Sequence, residues 1–295
     1  MSELRPLTFG EVLDGALSMY RRHFRLFLQL SVVLLVVPVG LGAYFGHPLF
    51  VPRIAMQNAI MFMMDPVGAF VMIASIGALY YLATLLLTAA TVRVVSDAYL
   101  GRAPTFGDAL SLGRKRMWPL FLVGLAKFVL LGGLFGLIVG VYGLVGFFMN
   151  RAGIGLAADL VTAVIAVVGL WFVALVACGY GVTTEVVVLE QLQGALQAFG
   201  RSWRLTQGFR FKVFALAVIA FLLFSVIPSV ILTIIGAVWS PEAQFASIAM
   251  QVVTLLVPVV LSPAIACVFT LMYYDLRVRR EGFDLQVLSQ QLGIA

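Results

Sequence analysis

A 295-residue chain that is 62% hydrophobic and only 11% charged has too few charges to coat a water-facing surface, where about 25% is usual. With a mean hydropathy of +1.08, most of its surface has to face lipid. The net charge of +6 is scattered over the ends of apolar runs, so it reads as topology and contact with anionic headgroups, and nucleic acid is excluded as the partner.

The first predicted element is an amphipathic helix starting at Thr8. Thr8 and Glu11 have capping-box spacing, in which each side chain bonds the other residue's backbone N–H. Glu11, Asp14, Ser18, Arg21, Arg22 and Arg25 trace one face, and Phe9, Val12, Leu13, Ala16, Tyr20, Phe24 and Phe27 the other. Acid early and base late complement the helix dipole. Such a helix lies flat at the interface, with Arg21, Arg22 and Arg25 toward anionic lipid, or it packs on the protein's own cytoplasmic face.

An apolar run over 27–46 follows, long enough to span a bilayer. It is too long for a signal-peptide core, and about twenty charged or polar-patterned residues precede it. The next loop holds His47, Met56, Met61, Met63 and Met64. Those donors suit Cu(I), but methionine is also common in apolar packing, and an interface-hugging segment without metal is expected.

A second run, 68–92, leads to Asp97. Thr105-Phe106-Gly107-Asp108 then repeats Thr8-Phe9-Gly10-Glu11 and opens a second interfacial helix. The third run, 118–149, carries Lys127 and, at spacing of four, Gly132, Gly136 and Gly140. Such a ridge lets backbones approach closely. It is expected to be a helix-packing face, either within the chain or toward a second copy or partner. The fourth run, 157–184, leads to Glu185 and Glu190. Gly194-Ala195-Leu196-x-x-Phe199-x-Arg201 then repeats Gly15-Ala16-Leu17-x-x-Tyr20-x-Arg22. Runs 211–238 and 247–272 complete the set, with Pro38, Pro228, Pro258 and Pro263 as kink positions.

In hydrocarbon every backbone group must be bonded internally, and none of these runs alternates as a barrel strand does. The expected fold is therefore all-α: a polytopic membrane protein with six transmembrane helices. They form three repeated units, each an interfacial amphipathic helix plus a helical hairpin. The repeats cover about 1–101, 102–190 and 191–295 of a single membrane domain. Asp97, Glu190 and Asp275 mark the cytoplasmic end of each even-numbered span. Sixteen of the 19 Lys and Arg fall at the N-terminus, the second and fourth loops and the C-terminus, which puts both termini inside. Two spans per unit keep every unit in the same orientation, which disfavours an inverted-repeat transporter plan.

"RPLTFGEVLDGALSMYRRHFRLF" near the start and "YYDLRVRREGFDLQ" near the end resemble the membrane domain attached to bacterial glycerophosphoryl diester phosphodiesterases. The resemblance covers nearly the whole chain and implies a protein of the bacterial cytoplasmic membrane. That family's chemistry resides in a separate soluble barrel domain, absent here, so the resemblance implies no phosphodiesterase activity.

Lys127 is the one clear charge inside a span. It snorkels to the inner interface or pairs with Glu185, and intramembrane ionisable residues are functional candidates by default. His23 is expected at the interface, and Cys178 and Cys267 as packed small side chains. No GxxxxGK[ST], GxSxG or HExxH motif occurs, so no catalytic residue, metal or cofactor is expected. The expected function is a non-catalytic scaffold, accessory subunit or lipid-organising module. Its partners are anionic headgroups and a second copy or another membrane protein. The alternative is a transporter or channel with a cavity near Lys127 and Glu185, and an intramembrane enzyme comes third.

Overall fold

The computed structural model describes residues 6–45, 63–192, 194–238 and 244–282, and every regular element among them is helical. In chain order these are α1 (Phe9–Arg22), α2 (Phe24–Phe45), α3 (Pro66–Tyr99), α4 (Phe106–Arg151), α5 (Gly155–Gly179), α6 (Thr183–Leu189), α7 (Gln197–Thr206), α8 (Arg210–Phe221), α9 (Ile227–Val238) and α10 (Gln244–Glu281). His47, Met56 and Met61 lie outside the described residues.

Among the described residues, five helical segments are long and apolar enough to cross a membrane: Phe24–Leu41, Pro66–Tyr99, Phe106–Arg151, Asp159–Leu189 and Val259–Glu281. The run expected over 211–238 is helical but not one α-helix. A π-helical stretch, Leu222–Val226, separates α8 from α9, and the Ile227 N–H reaches back five residues to the Leu222 carbonyl. Pro228 follows directly. Its ring crowds the carbonyl four residues earlier, and widening the ladder just before it relieves that crowding.

Local signals set the helix ends. The Thr8–Glu11 capping box forms in full, with Thr8 N–H donating to Glu11 Oε2 at 2.7 Å. At α4 the Asp108 N–H donates to Thr105 Oγ1 at 3.2 Å. The shorter Asp108 arm takes the Thr105 hydroxyl at 2.7 Å. Gly101, at φ 75°, closes α3, and Arg102 N–H donates to the Asp97 carbonyl at 2.8 Å, a left-handed C-terminal cap that favours glycine.

The described residues form two compact units, Met1–Met117 with Leu216–Ala295, and Trp118–Ala215. In the first, α2, α3 and α10 pack together and α1 lies on α10. Phe27, Leu30, Leu35, Leu87, Leu271 and Tyr273 are fully buried there. At the start of α4, Gly113 lets the chain approach α3, since a Cβ there would stand 2.8 Å from a Leu86 methyl. In the second unit, α7 lies against α5 and α6. The outer faces of the spans carry exposed Phe, Leu and Val, as lipid contact requires.

The structure decides how α1 is used. Val12 and Ala16 are buried and the helix packs on α10, so its apolar face rests on protein. Tyr20 Oη donates to the Val260 carbonyl at 2.8 Å, and burial together with the nearby Cys267 thiol pushes its phenol up. Arg21, Arg22 and Arg25 remain exposed. The third copy is shorter than its sequence match: Gly194, Ala195 and Leu196 precede α7, whereas Gly15, Ala16 and Leu17 lie inside α1.

Candidate functional site

Three acidic residues repeat along the chain, and each holds an arginine. Asp97, 5% exposed, lies in the last turn of α3 and pairs with Arg93 at 2.7 Å. Its other oxygen is buried without a hydrogen-bond partner. Glu190 follows α6 directly and accepts Arg201 Nε on both oxygens, at 2.9 and 3.1 Å. Asp275, fully buried inside α10, accepts Arg279 Nε at 3.0 and 3.1 Å. Asp97 and Asp275 thus follow the apolar runs 68–92 and 247–272 while the helices themselves continue beyond them, to Tyr99 and Glu281.

The arrangement ties spans to interfacial segments. Leu7 N–H donates to Asp275 Oδ1 at 2.7 Å, and Arg279 donates to the Leu7 carbonyl at 2.6 Å. Asp275 therefore clasps the segment that enters α1. Glu190 clasps α7 through Arg201. The Asp97 carbonyl caps the turn that leads to α4. Beside Asp97, Ser96 Oγ and Tyr274 Oη share a hydrogen bond of 2.7 Å, and Tyr99 stacks on Tyr274.

The Trp118–Ala215 unit contains Lys127 and Glu185. Glu185 is 3% exposed, and one of its oxygens is buried without a partner. The charge of Lys127 acts on it, yet among the described residues no ion pair within 4.0 Å joins them. They are neighbours, not a closed pair.

The chain also breaks its fourth span. Helix α5 stops at Gly179 and α6 starts at Thr183. The freed Gly179 carbonyl accepts Ser202 Oγ at 3.0 Å and Thr206 Oγ1 at 3.1 Å. Trp203 fills the space that a Gly179 side chain would need, and Arg210 lies 3.9 Å above the Trp203 ring centre. An unsatisfied carbonyl at this depth would be costly, so α7 supplies the donors. Two glycines flanking Tyr180 were the available signal for this break. No sequence pattern pointed to Ser202, Trp203 or Thr206. The partners Arg93, Arg201 and Arg279 were legible as basic residues but not as clasps.

Of the two uses expected of the glycine ridge, a crossing within the chain is not seen among the described residues. A Cβ at Gly132, Gly136 or Gly140 would meet nothing within 4 Å among the described residues. The α4–α5 approach instead uses Gly169, whose Cβ would stand 2.5 Å from an Ile138 methyl. Beside it lies an open apolar groove of about 280 Å³ lined by Phe135, Ile138, Tyr142, Leu170 and Val173. The crossing follows Gly169 because it lies opposite branched Ile138, while the ridge turns away from α5.

His23 caps α1. Burial and the adjacent Arg22 push its imidazole below the usual value. Cys178 and Cys267 are buried free thiols.

Comparisons with protein-family models, with curated proteins and with solved structures find no match.

Proposed function

We propose that the chain is a non-catalytic membrane scaffold or accessory, lipid-organising module of the bacterial cytoplasmic membrane, with six spans and both termini inside. Kinship with the membrane domain of the glycerophosphoryl diester phosphodiesterases belongs to this proposal and rests on the two quoted segments. The observation that carries it is the use of buried and half-buried acidic charge. Asp97, Glu190 and Asp275 each hold an arginine, and two of them fasten an interfacial segment to a span. Charge placed this way serves assembly. Three such pairs, with one acid per repeat, also support the three-unit plan. The fifth span in chain order, which brings the number to six, is α8 with α9, joined through the π-helical stretch. The open ridge of Gly132, Gly136 and Gly140 offers bare backbone to a partner helix.

Topology tests the placement. Reporter fusions after Gly101 and Gly208 should read cytoplasm, and fusions near Pro48 and Gly153 should read outside. The reverse result at any two sites removes the six-span arrangement.

Transport is the second reading, favoured by the buried oxygen of Glu185 and the neighbouring Lys127. For a scaffold, Lys127→Met lowers stability by no more than about 2 kcal/mol, because no direct pair is broken. Adding Glu185→Gln restores most of it. Thermal melting in detergent reads both changes. Normal melting of every variant, with loss of a host uptake or efflux phenotype, would put transport first.

A further inference from the structure

We infer that the joint between α1 and α2 is a binding site for an anionic phospholipid, held by Arg21, Arg22 and Arg25. Helix α1 has already committed its apolar face: Val12 and Ala16 are buried, and Tyr20 is bonded to the Val260 carbonyl. What remains outward is a stripe in which Leu17, Arg21, Phe24 and Arg25 follow at helical spacing, with Arg22 beside it. Leu17 is 47% and Phe24 39% exposed. All three arginines are exposed, and among the described residues none has an ion-pair partner.

Charge complementarity selects the occupant. Three arginines at other helix ends are matched, Arg93 to Asp97, Arg201 to Glu190 and Arg279 to Asp275. Arg21, Arg22 and Arg25 have no such acid and lie within five residues of one another beside exposed Leu17 and Phe24, so they can take a phosphate from outside the chain. Guanidinium binds phosphate by paired hydrogen bonds. The exposed Leu17 and Phe24 supply apolar contact beside that charge, and the Phe24–Leu41 span begins at the same joint. A headgroup phosphate with its acyl chain matches both parts, whereas a soluble anion matches only one. The inference rests on the proposed reading only for the membrane side on which α1 lies, so the fusions above test that part separately.

The test is native mass spectrometry of the full-length protein in mild detergent, supplied with phosphatidylglycerol or phosphatidylcholine of matched chain length. The wild type should retain phosphatidylglycerol preferentially. Arg21→Gln, Arg22→Gln and Arg25→Gln should each weaken that preference about fivefold, which corresponds to roughly 1 kcal/mol per basic residue near the surface. The triple control Arg102→Gln, Arg114→Gln and Lys115→Gln removes the same charge at three other exposed positions and should weaken the preference clearly less, because Leu17 and Phe24 do not flank them. The triple Arg→Lys variant at 21, 22 and 25 should keep most of it, which guards against a fold defect in the Gln series. Equal losses in the Gln series and the control would overturn the assignment, as would unchanged retention in the Gln series. A change of oligomeric mass without loss of lipid would overturn it too, and would give the edge to a second copy.

Discussion

Replacing Asp275 by Ala is expected to lower stability by about 3–5 kcal/mol, the scale for breaking a buried pair from one side. The side chain is fully buried and accepts three hydrogen bonds from two groups: Arg279 Nε through both oxygens and the Leu7 N–H. Its loss leaves Arg279 without its counter-charge and frees the segment that enters α1. The double change Asp275→Leu with Arg279→Met recovers only part of this, because the Leu7 N–H stays unpaired, at about 1–3 kcal/mol. Asp14→Asn, on the exposed face of α1, should stay within about 0.5 kcal/mol. Thermal melting in one detergent checks all three. An Asp275→Ala protein that melts with the wild type would remove the clasp from the account of assembly.

The second large effect is expected at Gly179. A Cβ there would collide with the Trp203 ring, so Gly179→Ala must displace Trp203. Overpacking alone costs about 1–3 kcal/mol. The displacement also disturbs the Ser202 and Thr206 bonds to the Gly179 carbonyl, at about 1 kcal/mol each. The stacking of Arg210 on Trp203 adds about 0.5–1 kcal/mol. Gly136→Ala is the matched comparison: its Cβ meets nothing within 4 Å, so it should be neutral or slightly stabilising through helix propensity. Similar melting shifts for the two variants would contradict the packing described for the break.

Residue spacing carried the local structure. The Thr8–Glu11 box, the α4 start at Thr105 and Asp108, and the apolar faces of Val12 and Ala16 all appear as the pattern implies. Capping and helical periodicity involve residues three or four apart, so one short stretch contains both partners. The apolar runs fared equally well for existence and type, since hydrocarbon leaves the backbone little choice but helix. Their continuity was less legible. The π-helical stretch before Pro228 was foreshadowed by the proline, but the α5–α6 break depends on donors from α7, more than twenty residues onward.

The membrane class, the helical elements and the amphipathic character of α1 were determined by the sequence, because lipid and backbone hydrogen bonding judge each stretch on its own. The structure decided which charges pair. Asp275 lies 268 residues from Leu7, and nothing in either neighbourhood names the other. The structure also separated two kinds of glycine. Gly132, Gly136 and Gly140 form the better pattern, yet Gly169 and Gly179 make the contacts. A glycine matters where another chain segment needs its missing side chain, and only the folded arrangement brings that segment there.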